Sequence, residues 1–152
     1  MGGISINFLE DMVAPMRSQL LAWGHQAPSA PQEVATLFLN LQRRRIDLRP
    51  RSLRVAAGLV PSASVAAGYY EVVRKAEVGE DLNPHLSRSV LNDAGYDDAL
   101  LNDWAMHHLH LGLRFEADGM VERTHEQLFA IVRASEILLV AVGQHGDWAA
   151  LR

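Results

Sequence analysis

The chain has 152 residues, 49% of them hydrophobic and 21% charged, a balance that fits one globular domain over residues 1–152 and excludes a disordered or fibrous chain. It holds no cysteine, which excludes disulfides, thiolate nucleophiles and thiolate metal sites, so a metal would need His, Asp or Glu. The net charge of −4 hides an asymmetry: residues 1–75 carry nine basic and five acidic groups (+4), and residues 76–152 carry five and thirteen (−8).

No apolar run approaches the roughly 20 residues that span a bilayer, and the opening MGGISINFLEDMVAP has no basic region ahead of its apolar residues. The expectation is a cytoplasmic protein without membrane contact, although export by other machinery would leave the same sequence. All basic residues but Lys75 are Arg, which suits bidentate phosphate contacts and equally suits a compositional origin.

In chain order, Ile6, Phe8, Leu9, Met12, Val13, Met16, Leu20 and Leu21 recur at three and four, predicting a helix over 4–25 that Pro15 kinks or interrupts. APSAP is a loop, and Val34, Leu37, Phe38 and Leu41 predict a second helix over 32–45 that ends in three arginines. The Pro- and Gly-containing stretch that follows is irregular, with a short extended piece at 53–56. Ser62 or Ser64 caps a third helix from Val65 to Lys75 or slightly beyond, stopped by Gly79. Two short helices split at Gly95 come next, with Asp97 or Asn92 among the caps.

At Met106 the period changes from helical to alternating. HHLHLGLRFE predicts a strand, Asp118-Gly119 a turn and Met120–Glu122 a return strand. The runs Leu128–Val132 and Ile137–Val142 flank Arg-Ala-Ser-Glu, a loop of hairpin length. The fold class is α+β: a helical part over 1–104, then a small antiparallel sheet over 105–152. Leu109, Leu111, Leu113, Phe115, Leu128, Val132, Leu139 and Val142 are its expected core.

A period of two places His108, His110, Gly112, Arg114 and Glu116 on one strand face and leucines on the other. Gly112 packs nothing, so its place between His110 and Arg114 points to a backbone or ligand approaching closely. His145 sits between two glycines at the end of the last apolar run, on a loop of the kind that carries function. Imidazoles beside arginines can cleave a phosphodiester without metal: one removes the 2′-hydroxyl proton, another protonates the leaving oxygen, and Arg stabilises the charge. His108, His110, His145 and Arg114 are therefore the candidate catalytic residues, and Arg123 and Arg133 the further phosphate clamps. The competing chemistry is a metal held by His108 and His110 with His145 or Glu116 as third ligand.

Residues 79–152, with GEDLNPHLSRSV, LLNDWAMHHLHLG and HGDW, resemble a poorly characterised family of bacterial and phage-associated proteins carrying Trp-x-x-His-His-x-His-Leu-Gly; the motif implies no reaction. The order of helices followed by a small His- and Arg-bearing sheet resembles, in architecture alone, the metal-independent ribonucleases of the RelE, barnase and colicin class. That likeness implies a reaction class and no catalytic assignments.

Those enzymes are commonly basic, whereas the half holding these histidines is acidic; Arg43, Arg44 and Arg45 offset this if they form a phosphate-binding rim. The other reading of these three is a solvated helix end. Trp148 is a candidate base-stacking residue and Trp104 a packing one. The expected function is a toxin-type, metal-independent endoribonuclease that binds RNA, uses no cofactor and has an inhibitor or accessory protein as a possible partner. The alternative from another class is a non-enzymatic accessory protein whose histidines are structural.

Overall fold

The computed structural model describes residues 7–144. They divide into two compact units that cut across chain order: the chain up to Arg44 together with Ser89–Tyr96, and Arg45–Arg88 together with the chain from Asp97 onward.

In the first unit, α1 (Phe8–Ala22) is capped by Asn7, whose Oδ1 accepts from the Glu10 amide, and it runs through Pro15 without ending. Its sequence stripe is broader than its buried face, which is only Val13 and Leu20. Helix α2 (Pro31–Arg44) packs on α1 through Val34 and Leu41, and Trp23 stacks on Phe38 at 5.7 Å. The one-turn α4 (Ser89–Asn92) is held from α2 by side chains that reach carbonyls. Asn40 donates to Ala94 and Tyr96, and Arg44 to Ser89, Asp93 and Tyr96.

The second unit is a four-stranded sheet with helices. Strand β1 (Ser52–Val55) leads into α3 (Ala66–Val78), a 3-10 turn (Asn83–His85) and α5 (Ala99–Trp104), followed by β2 (His107–His110), β3 (Glu126–Val132) and β4 (Glu136–Gln144). Asp98 caps α5 by accepting from the Leu101 amide. The strand order is β1-β4-β3-β2. The pairs β2–β3 and β3–β4 are antiparallel, but β1 lies parallel to β4, so the sheet is mixed and not purely antiparallel as the sequence predicts. The short SLRV segment carries too little alternation to announce a partner; the free edge of β4, more than eighty residues away, supplies it.

The core face of the sheet holds Leu109, Leu128, Ala130 and Leu139, each buried almost completely. On the other face Phe129 packs with Leu100 and Met106, joined by Ile131 and Val140. The expected core was longer than the real one: Leu113 and Phe115 are 53% and 60% exposed, and Val132 and Val142 half-buried. The cause is that β2 stops at His110. Beyond it the chain runs so close to the return segment that a Cβ on Gly112 would lie 2.3 Å from the Glu122 carbonyl oxygen, it bends at Arg114, and the return segment pairs as a ladder only at the bridge Phe115–Val121. The close approach that Gly112 implies is therefore to backbone.

Candidate functional site

His107 to His110 alternate as a strand must, and the register places His110 opposite Gln127 and His108 opposite Phe129. His108, His110 and Gln127 thus share a sheet face at the edge of the sheet, away from Leu109 and its core. Two loops wall this face: Ser87, just after the 3-10 turn, and Arg123, Thr124 and His125, which lead into β3. Together they line a cleft of about 210 Å³. The His108 and His110 rings lie 6.1 Å apart, nearly edge to face.

Each wall is fixed by hydrogen bonds. The Thr124 hydroxyl accepts from the Leu111 amide at 2.9 Å and donates to the Glu126 carbonyl at 2.6 Å, so it clamps its loop to the exit of β2. The Val121 amide donates to the Pro84 carbonyl, tying the return segment to the 3-10 turn. Behind the floor, His85 is 1% exposed; its Nδ1–H donates to the His110 carbonyl at 2.8 Å and its Nε2 accepts from Lys75 Nζ at 3.1 Å. A carbonyl can only accept and an ammonium can only donate, so this pair fixes His85 as the neutral tautomer with its proton on Nδ1. Burial first, and Lys75 as well, push its pKa below the usual histidine value.

The linkage has a definite sign. An unfolded chain binds a proton at His85 near pH 6.5 while the folded chain resists it, so this part of stability is present above that pH and is lost as pH falls through the lowered value. The gap in Tm between wild type and His85→Gln is expected to be widest above pH 7 and to narrow toward pH 5. A gap that widens on acidification would mean that His85 is charged in the fold.

Gln127 is 3% exposed, lines the cleft, and its Oε1 accepts no hydrogen bond among the described residues. A buried acceptor left without a donor costs about 1–3 kcal/mol. The sequence reading passed over this residue and Ser87; it has Thr124 beside Arg123 as a phosphate contact and His125 as an exposed loop residue, and both line the cleft. Gln127 looks like an ordinary inward residue of β3, and only the hairpin register shows that it faces His110.

The remaining candidates are dispersed. Arg114 is not on the histidine strand: its side chain is 85% exposed and binds Glu122, whose hydrogen bond keeps the guanidinium firmly charged. Arg133 follows the far end of β3, about 20 Å along an extended strand from Gln127, and pairs with Glu136. Arg44 is 2% exposed and its guanidinium binds carbonyls within the first unit, which makes it a structural residue of that unit. Arg43 is exposed at the end of α2, and Arg45 is half-buried, with burial lowering its pKa. Glu116 lies with Asp118 on Arg88, away from the cleft lining. Trp104, expected to pack, is 42% exposed. His145 and Trp148 lie outside the described residues.

Several carboxylates of the acidic half are paired with arginines. Arg88 holds Glu116 and Asp118, Arg114 holds Glu122, and Arg54 and Arg133 approach Glu136. Arg123 takes part in no ion pair among the described residues. Among the described residues no three His, Asp or Glu side chains converge as a metal-binding group, and no helix is long and apolar enough to cross a membrane. Comparison with family models, curated proteins and solved structures finds no match.

Proposed function

We propose that the cleft cleaves RNA by metal-independent acid–base chemistry, making the protein an endoribonuclease. The supporting observation is the convergence of His108, His110, His125 and Arg123 on one polar cleft. Imidazole titrates near neutrality, so neighbouring rings can hold opposite protonation states, as an acid–base pair requires. The His108 and His110 rings, 6.1 Å apart and edge to face, both line the cleft and would meet a phosphate bound in it from the same side.

The reaction follows from those groups. One imidazole takes the proton of a ribose 2′-hydroxyl as its oxygen attacks phosphorus; the bond from phosphorus to the 5′-oxygen breaks, and the second imidazole protonates that oxygen. The products are a 2′,3′-cyclic phosphate and a free 5′-hydroxyl. Arg123 stabilises the charge that grows on the phosphoryl oxygens, with His125 beside it at the rim. At about 210 Å³ the cleft is smaller than the roughly 300–1,000 Å³ of sites that enclose a whole small molecule. It suits one segment of an extended chain whose remainder stays outside.

Cleavage of single-stranded RNA is expected to persist in excess chelator and to leave cyclic phosphate ends, because the internal hydroxyl needs no metal-bound water. Loss in chelator with recovery on adding zinc or manganese would favour the metal reading. Absence of cleavage under every condition would favour an accessory protein with structural histidines.

A further inference from the structure

We propose that Gln127 is a specificity-determining residue of this cleft, taking a hydrogen bond from a nucleobase N–H of the bound RNA. The inference rests on the ribonuclease reading and deepens it. Gln127 is nine-tenths buried, lines the cleft opposite His110 in the β2–β3 register, and carries a buried amide oxygen that accepts from nothing among the described residues. Such an oxygen calls for a donor.

RNA offers few donors. A phosphodiester has acceptors only, so it belongs at the rim with Arg123 and His125 and not against Oε1. The attacking 2′-hydroxyl has a single hydrogen, which the reaction commits to an imidazole. The donors that remain are the 2′-hydroxyls of neighbouring riboses and the N–H groups on base edges, and single-stranded RNA presents these edges for reading. A carboxamide matches them with an acceptor and a donor side by side, as it does when Gln reads adenine. Rotation about the last side-chain torsion, which is broad and two-fold, lets either end of the amide face the cleft.

The experiment compares wild type with Gln127→Met on four dinucleoside phosphates that differ only in the base 5′ to the scissile bond. Thermal unfolding is measured alongside. Wild type is expected to favour some bases by about tenfold in kcat/KM, and Gln127→Met to level that preference while still cleaving. Since the substitution removes an unsatisfied buried amide for an apolar chain of similar length, Tm should hold or rise. A preference that survives in the variant overturns the proposal, as does a fall in Tm that marks Gln127 as a structural hydrogen-bonding residue.

If wild type cleaves no RNA, the ribonuclease reading fails by itself and binding decides the inference. Nucleoside 3′-monophosphates and inorganic phosphate are titrated against both proteins by NMR of the histidine ring protons. Tighter binding of the nucleotides, lost in Gln127→Met, supports base recognition; equal binding of nucleotide and phosphate overturns it.

Discussion

His108→Ala is expected to lower the rate of RNA cleavage by about 10²- to 10⁴-fold, the range lost when a general acid or base is removed, while the protein folds almost as well as wild type. His108 is half-buried at the edge of the sheet, so its truncation leaves no sealed cavity. His110 needs a gentler variant because it is only 5% exposed and packs into the floor of the cleft. His110→Gln keeps volume and polarity there but cannot exchange a proton near neutrality, so a comparable loss of rate should follow without unfolding.

Leu109, between the two histidines, provides the internal contrast. It is fully buried on the opposite face, and Leu109→Ala should cost about 2–5 kcal/mol of stability. Its activity per folded molecule should stay near wild type. Denaturant melts and single-turnover rates on the three variants separate chemistry from folding at consecutive positions of one strand. Retention of cleavage within about threefold in both histidine variants would remove them from the mechanism, since general acid–base groups contribute far more.

Gly68→Ala is the second large effect, and intrinsic propensity predicts the wrong sign for it. In a helix interior, Ala is favoured over Gly by about 1 kcal/mol. At this point in α3, however, a Cβ would lie 1.7 Å from the Leu111 carbonyl oxygen and 2.6 Å from its carbon. The obstacle is backbone, so it cannot rotate aside; α3 or the exit of β2 has to move. Overpacking of this kind costs about 1–3 kcal/mol or more. A net loss of at least about 2 kcal/mol is expected, seen as a fall in Tm of roughly 5 °C or more.

Because Leu111 directly follows His110, kcat/KM should also drop at temperatures where the variant is folded. The exposed neighbour Ala67→Gly makes the control, since it reports propensity alone and should leave the cleft unchanged. If Gly68→Ala melted above wild type, the tight packing of α3 on the β2 exit would be wrong.

The acidic charge of residues 76–152, which weighs against the proposed RNA binding, is partly paired. The carboxylates of 116–122 are held by Arg88 and Arg114, and the guanidinium of Arg88 also draws the Asp118 carboxyl below its usual pKa. On the proposed reading, a phosphate entering the cleft would meet Arg123 and the three imidazoles that line it.

Sequence alone determined those features that depend on neighbours a few residues apart. The period of two put His108 and His110 on one side and Leu109 on the other, because successive side chains of any extended chain point to opposite faces. Gly112 marked a close approach, and the helical stripes located α1, α2 and α3 to within a few residues. Tertiary structure decided the rest. Arg114 left the histidine face because β2 ends at His110 and the chain, close against Glu122 at Gly112, bends at Arg114; ten residues of strand were expected to continue an alternation that ends at His110, and no local pattern records that ending.

The cleft itself depends on pairings across the chain. Gln127 faces His110 only through the β2–β3 register, Thr124 reaches Leu111 only once that hairpin closes, and β1 finds β4 only when both are folded. Arg44 reads as a surface charge at a helix end until carbonyls 45 to 52 residues further along surround it. Periodicity is a property of the local backbone and is written in a short window. Which distant side chains meet is settled by burial and by the satisfaction of polar groups, which act only in the assembled fold.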